Sequence, residues 1–140
     1  MFVACQEGHV ECVRLLLEAG AAIDQVKDSG WTPLIVACEK GYLEIVRLLL
    51  ETGAAVGQAM GGGATPLLIA CQQGHLECVR LLLEAGAAID QVKDSGWTPL
   101  IVACEKGYLE IVRLLLETGA AVGQAMNNGA TPLLAACHNG

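Results

Sequence analysis

Thr-Pro-Leu occurs four times at one interval. Thr32-Pro33-Leu34, Thr65-Pro66-Leu67, Thr98-Pro99-Leu100 and Thr131-Pro132-Leu133 form an evenly spaced series with a period of 33. A fixed period of this length marks an array of stacked units, none of which can bury its apolar face alone. Such an array meets partners over an extended surface instead of enclosing a substrate. A second period lies on the first. Glu11–Met60 returns unchanged as Glu77–Met126, an offset of 66. Val3–Val10 returns as Ile69–Leu76 with three substitutions. Two freely drifting copies would not stay this close, so the duplication is either very recent or deliberate. That leans toward an engineered chain.

The bulk chemistry excludes several classes. With 140 residues the chain is one domain by length, and a little over four units by period. Its net charge is −7, which opposes nucleic-acid phosphates and anionic membranes. The basic residues Arg14, Lys27, Lys40, Arg47, Arg80, Lys93, Lys106 and Arg113 are dispersed and form no stripe. Nucleic acid and membrane are therefore not expected as partners. No apolar run approaches the roughly 18 residues of a membrane span, and no secretory leader pattern opens the sequence. Hydrophobic residues make up 54 % of the chain but aromatics only 4 %, so the core is packed from small aliphatic side chains. Five of the seven cysteines, Cys5, Cys38, Cys71, Cys104 and Cys137, recur at the same period as Thr-Pro-Leu. Equivalent positions in stacked helices lie about 8–10 Å apart, too far for a disulfide. The ladder reads as buried thiols in a reducing, cytoplasmic compartment.

Residues 93–122 show how one unit is built. Asp94-Ser95-Gly96 is a turn cluster. Thr98 suits an N-cap and Pro99 the first helical position. A short helix is predicted through Leu100–Cys104, with Gly107 as its left-handed stop. A second helix is predicted over Leu109–Glu117, with the apolar stripe Leu109, Ile111, Val112, Leu115 and Leu116. Glu110–Arg113 and Arg113–Glu117 can pair on its outer face, and Gly119 ends it. Each unit thus has a projecting turn and two helices.

These residues resemble the ankyrin repeat family. The resemblance rests on Trp97-Thr98-Pro99-Leu100, Ala103, Gly107-Tyr108-Leu109-Glu110-Ile111-Val112, Leu115-Leu116 and Gly119-Ala120. The sister unit matches through Thr65-Pro66-Leu67, Ala70, Gly74-His75-Leu76-Glu77, Leu82-Leu83 and Gly86-Ala87. It covers essentially the whole chain, and it implies L-shaped repeats, a concave helical face and protein–protein recognition. Three departures stand out. Ile35, Leu68, Ile101 and Leu134 stand where the family usually has a histidine, so a hydrogen-bonding position has become apolar. Lys27, Met60, Lys93 and Met126 open the turns where the family usually has aspartate. The sequence begins within a first helix and closes after another, at Gly140, with no polar capping unit expected at either end.

No catalytic constellation emerges. Cys71-x3-His75-x2-Cys78 and Cys5-x3-His9-x2-Cys12 have spacings that can ligate zinc. However, the cysteines fall on helix faces expected to be buried, a glycine interrupts each helix, and no fourth ligand is evident. The histidines sit where the ankyrin pattern often has Gly-His. Gly61-Gly62-Gly63 precedes Thr65-Pro66 and reads as a loosened turn, not a phosphate loop. No cofactor, metal or catalytic residue is expected. The resemblance places Trp31 and Trp97 along the turns and the concave face. Trp is enriched among binding hot spots, but each can instead pack on its neighbouring turn, with Ala64 and Ala130 filling the alternate units. The other concave candidates are Asp28, Ser29, Glu39, Lys40, Gln72, Gln73, Asp94, Ser95, Glu105 and Lys106.

The sequence thus predicts an all-α ankyrin-type solenoid. Its units run approximately over 1–26, 27–59, 60–92, 93–125 and 126–140, the first and last partial. Two functions fit: a protein-binding module or engineered scaffold acting through turns and concave face, or a building block that stacks head to tail. The last helix, short and lacking a second helix beside it, is expected to fray.

Overall fold

The computed structural model describes residues 1–139. Gly140, which closes the expected last unit, lies outside them. Nine α-helices appear among the described residues: α1 (Phe2–Gln6), α2 (Val10–Glu18), α3 (Pro33–Lys40), α4 (Leu43–Glu51), α5 (Pro66–Gln73), α6 (Leu76–Glu84), α7 (Pro99–Lys106), α8 (Leu109–Glu117) and α9 (Pro132–Asn139). Consecutive helices pair as α1/α2, α3/α4, α5/α6 and α7/α8. The odd-numbered helices stack in one column from α1 to α9, and the even-numbered ones stack beside them from α2 to α8. The fold is a helical solenoid, and the only strand-like pairing among the described residues is two isolated bridges, Lys27–Trp31 and Lys93–Trp97.

Local chemistry repeats from pair to pair. The hydroxyls of Thr32, Thr65 and Thr98 accept the amides of Ile35, Leu68 and Ile101 at 3.1, 3.2 and 3.1 Å. Each proline follows at the first helical position. The three capping threonines are buried, and Ile35, Leu68 and Ile101, which replace the polar family residue, are fully buried side chains. Gly41, Gly74 and Gly107 end these helices in the left-handed conformation. The first helix of the unit over 93–125 is therefore longer than Leu100–Cys104. It starts at Pro99 and runs to Lys106, because nothing before Gly107 breaks it. The second helix runs from Leu109 to Glu117.

Side chains after each glycine lock one pair on the next. A Cβ added to Gly8 would lie 3.0 Å from the ring of Tyr42, at Gly41 it would lie 2.6 Å from that of His75, and at Gly74 2.9 Å from that of Tyr108. His75 Nε2 also lies 3.1 Å from the carbonyl oxygen of Glu39. Hydrogen bonds between neighbouring loops add to this: Asp24 accepts the amide of Ala55, and Asp90 that of Ala121, both at 2.9 Å.

Burial follows position in the stack, and this corrects several expectations. Ile111 and Leu115 of α8 are buried, but Leu109 and Leu116 are exposed, because among the described residues no outer helix packs on the far side of α8. Cys5, Cys38 and Cys71 are buried, yet Cys104 is only half-buried and Cys137 exposed. Cys78 is buried, whereas its counterpart Cys12 is exposed on the first pair. On the outer face Glu110 lies 3.9 Å from Arg113. The other outer helices carry the same i,i+3 pair, Glu11–Arg14, Glu44–Arg47 and Glu77–Arg80, whereas Arg113 and Glu117 do not pair. The last helix, expected to fray, is a regular helix behind Thr131, whose hydroxyl accepts the amide of Leu134 at 3.3 Å. Leu133 and Leu134 on it are exposed.

Candidate protein-binding surface

Four turns project along one side of the inner helices. Each is closed by an amide-to-carbonyl bond: Lys27 to Trp31, Met60 to Ala64, Lys93 to Trp97 and Met126 to Ala130, at 2.8–3.0 Å. Ser29 and Ser95 sit at positive φ, 63° and 68°, a conformation seldom taken by residues other than glycine. Neighbouring turns are tied through the same positions. Gly61 donates to the carbonyl of Ser29 at 2.8 Å, Asp94 to that of Gly62 at 2.8 Å, and Asn127 to that of Ser95 at 3.0 Å. The glycine run at 61–63 is thus not loose. It is hydrogen-bonded on both sides, and Gly62 supplies at φ 90° the conformation that Ser29 and Ser95 adopt elsewhere.

Between this row of turns and the inner helices runs a series of open clefts. The first, about 370 Å³, is lined by Phe2, Gln6, Lys27, Asp28, Ser29, Trp31, Val36, Glu39 and Lys40. The next, about 360 Å³, lies between Trp31, Glu39, Met60, Gln72, Gln73, Lys93 and Asp94, among others. A third of about 230 Å³ is framed by Gln72, Lys93, Trp97, Val102, Glu105 and Lys106. The last, about 360 Å³, joins Trp97 and Glu105 to Met126, Leu134 and His138. Eleven of the twelve residues singled out from the sequence line these clefts. Ser95 does not; it is exposed at a turn tip, with its carbonyl bound to the next turn. Trp31 and Trp97 are partly exposed and pack against the core while lining two clefts each, so the packing and surface roles coexist.

Sequence reasoning misses part of the lining. Lys27, Met60, Lys93 and Met126 stand out in the sequence only as unusual turn openers, yet all four line clefts. Gln6 stands one period before Glu39, so the repeat register alone could have found it. Phe2 gives no such signal. The Lys27 ammonium stands 4.9 Å from the centroid of its ring, a cation–π contact that no other unit can copy, because Ile35, Leu68 and Ile101 take its place.

The buried thiols lie apart from these clefts. Burial pushes Cys71 up to about 12 and Cys5 to about 11, the nearby chain amine opposing the latter. Burial, then the carboxylate of Glu77, raises Cys78 to about 11. Cys38 is held well above the ordinary thiol range by burial and, secondarily, by its neighbours Cys78 and Cys71. Burial also raises Cys104. Such thiols stay protonated and are poor nucleophiles. Cys71, His75 and Cys78 do not assemble into a ligand cluster: among the described residues no three His, Cys, Asp or Glu side chains are placed to hold a metal. Nor is any described helix long and apolar enough to cross a membrane.

A comparison with curated proteins found no match. The family model for ankyrin repeats (3 copies) matches residues 1–60 and 54–126, well over half of the sequence. Capped helix pairs, hydrogen-bonded projecting turns and a constant repeat register agree with that match, and the chain belongs to the ankyrin repeat family.

Proposed function

We propose that this chain is a non-catalytic protein-interaction module that binds through its turns and concave helical face. Ankyrin repeats are generally modules of this kind. The observation that carries the reading is the continuous row of clefts that gathers Trp31, Trp97 and their charged neighbours along one side of the stack. The row has a chemical period. Lys27, Asp28, Ser29, Trp31, Glu39 and Lys40 recur two units on as Lys93, Asp94, Ser95, Trp97, Glu105 and Lys106. A partner therefore meets the same stripe twice, separated by a Gln-and-Met stripe. The unchanged two-unit copy also supports an engineered scaffold. The units over 1–26, 27–59, 60–92, 93–125 and 126–140 are proposed as one continuous array.

The test is a display selection on the immobilised chain, followed by Trp31→Ala and Trp97→Ala against each selected binder. Loss of more than about 1 kcal/mol of binding free energy on either substitution is expected, the level that marks the important minority of interface residues. Binders that ignore both substitutions and are lost on changing Arg47 or Arg80, on the outer helices, would refute the reading.

A second reading is favoured by a separate observation. Large apolar side chains are exposed at both ends of the stack, Val3 and Leu15 on one and Leu109, Leu116 and Leu133 on the other. Copies of the chain stacking head to tail would cover them.

A further inference from the structure

The two ends of the stack carry the two halves of an interface that the chain already makes once inside itself. Residues 93–125 repeat 27–59 without a change, and residues 11–26 repeat 77–92. In the middle of the stack α5 and α6 pack on α3 and α4. There Cys38 and Val46 are 0 % exposed. Their counterparts Cys104 and Val112, followed by α9 alone, are only half-buried. Gly41 carries the imidazole of His75, whereas a Cβ at its counterpart Gly107 would meet nothing within 4 Å. His9, the counterpart of His75, is exposed at the opposite end.

We propose that α1 and α2 of a second copy dock on α7 and α8 of the first, as α5 and α6 dock on α3 and α4, and that α9 gives way to α1. The inference rests on the stacking reading above and gives it a register. Residues 126–132 of one copy and 1–26 of the next then make up one full unit. The turn at 126–131 stays in place through the Asn127–Ser95 bond, and α1 enters the position that α9 holds in the single chain. Only one of the two helices fits there. The incoming pair covers both α7 and α8, whereas α9 covers α7 alone and leaves its own Leu133 74 % and Leu134 57 % exposed. A helix as short as α9 is marginal by itself, and the packing on α7 that its release gives up is replaced by that of α1. On the incoming face Leu15 is 63 % exposed, and on the receiving face Leu109 is 63 % exposed. Their counterparts Leu81 and Leu43 inside the stack are half-buried. His9 takes the place on Gly107 that His75 takes on Gly41. The contact is head to tail and does not close on itself, so it propagates into open chains.

Sedimentation of the full chain over a concentration series tests association. The weight-average mass is expected to climb past that of a dimer. Leu15→Lys and Leu109→Lys, both at sites exposed in the single chain, should each hold the mass at one chain with unchanged helical circular dichroism. Register is tested with a short bis-maleimide, which links two thiols by addition. Cys78 neighbours Cys38 inside the stack, so Cys12 of one copy should meet Cys104 of the next. Cys71 neighbours Cys38 as well, so its counterpart Cys5 is removed too: chains carrying Cys12→Ser and chains carrying Cys104→Ser, each also with Cys5→Ala and Cys137→Ser, should link when mixed and not when separate. Linking that needs Cys137 in place of Cys104 would leave stacking standing and overturn the displacement of α9. Linking by the Cys104→Ser chains alone would mean a head-to-head contact and overturn the register. A single-chain mass at every concentration would overturn both the register and the stacking reading.

Discussion

Val46 and Val112 occupy the same place in the identical stretches 27–59 and 93–125, yet Val46 is 0 % exposed and Val112 half-buried. Truncating each to alanine removes the same two methyl groups from the same local sequence. A buried methyl contributes about 1 kcal/mol, including the cavity left behind. Val46→Ala should therefore lower stability by about 2 kcal/mol. Val112 gives up only part of its contact with water on folding, so Val112→Ala should cost about half as much, roughly 1 kcal/mol. Helix propensity favours alanine over valine equally at both sites and cancels in the difference. The assay is urea unfolding followed by helical circular dichroism, at low protein concentration so that no second copy covers Val112. The slope of free energy on urea should match the parent, since a changed slope would signal that one end unfolds separately. Equal losses for the two variants would refute the argument that position in the stack sets the burial of α8.

Gly41→Ala and Gly107→Ala form a second matched pair. Both glycines are left-handed, at φ 73° and 71°, so each substitution carries the same backbone strain of about 1 kcal/mol. Only Gly41→Ala also displaces an imidazole, so it should be the more destabilising of the two in the same unfolding assay, and equal costs would contradict the His75 contact. Mass-spectrometric labelling of the native protein with a thiol reagent should modify Cys12 and Cys137 first and Cys38 and Cys71 last. At about 12 against an ordinary 9.0, Cys71 has about a thousandth of the thiolate of an unperturbed thiol. Early, stoichiometric labelling of Cys38 or Cys71 would show that they are not buried. The raised thiols also set a pH dependence. Their folded-state values lie above the unfolded ones, so the stability they favour is complete below about 9 and is lost as pH rises toward about 12. Cys71→Ala should flatten that alkaline decline in a melting-temperature series, and an unchanged slope would count against the buried Cys71 thiol as its source.

The sequence alone determined the units, because what makes a unit is local. A threonine cap, a proline at the first helical position, a left-handed glycine and a helical stripe of leucine each act on near neighbours in the chain, so the period in the letters became the period of the helices. That period also carries side chains along the row of turns: eleven of the twelve chosen residues line the clefts there. Ser95 lies exposed at a turn tip outside them, although its counterpart Ser29 lines the first cleft. Phe2 and the four turn openers were missed because cleft walls are shared by adjacent units, and a single unit shows only one wall. What tertiary structure decided is clearest where the letters are the same. Cys38 and Cys104, Val46 and Val112, and Gly41 and Gly107 have identical local sequences and different surroundings. The residues of a unit set what each of its faces offers. Whether a face is covered depends on the helix stacked against it, and that helix comes from the next unit along the chain.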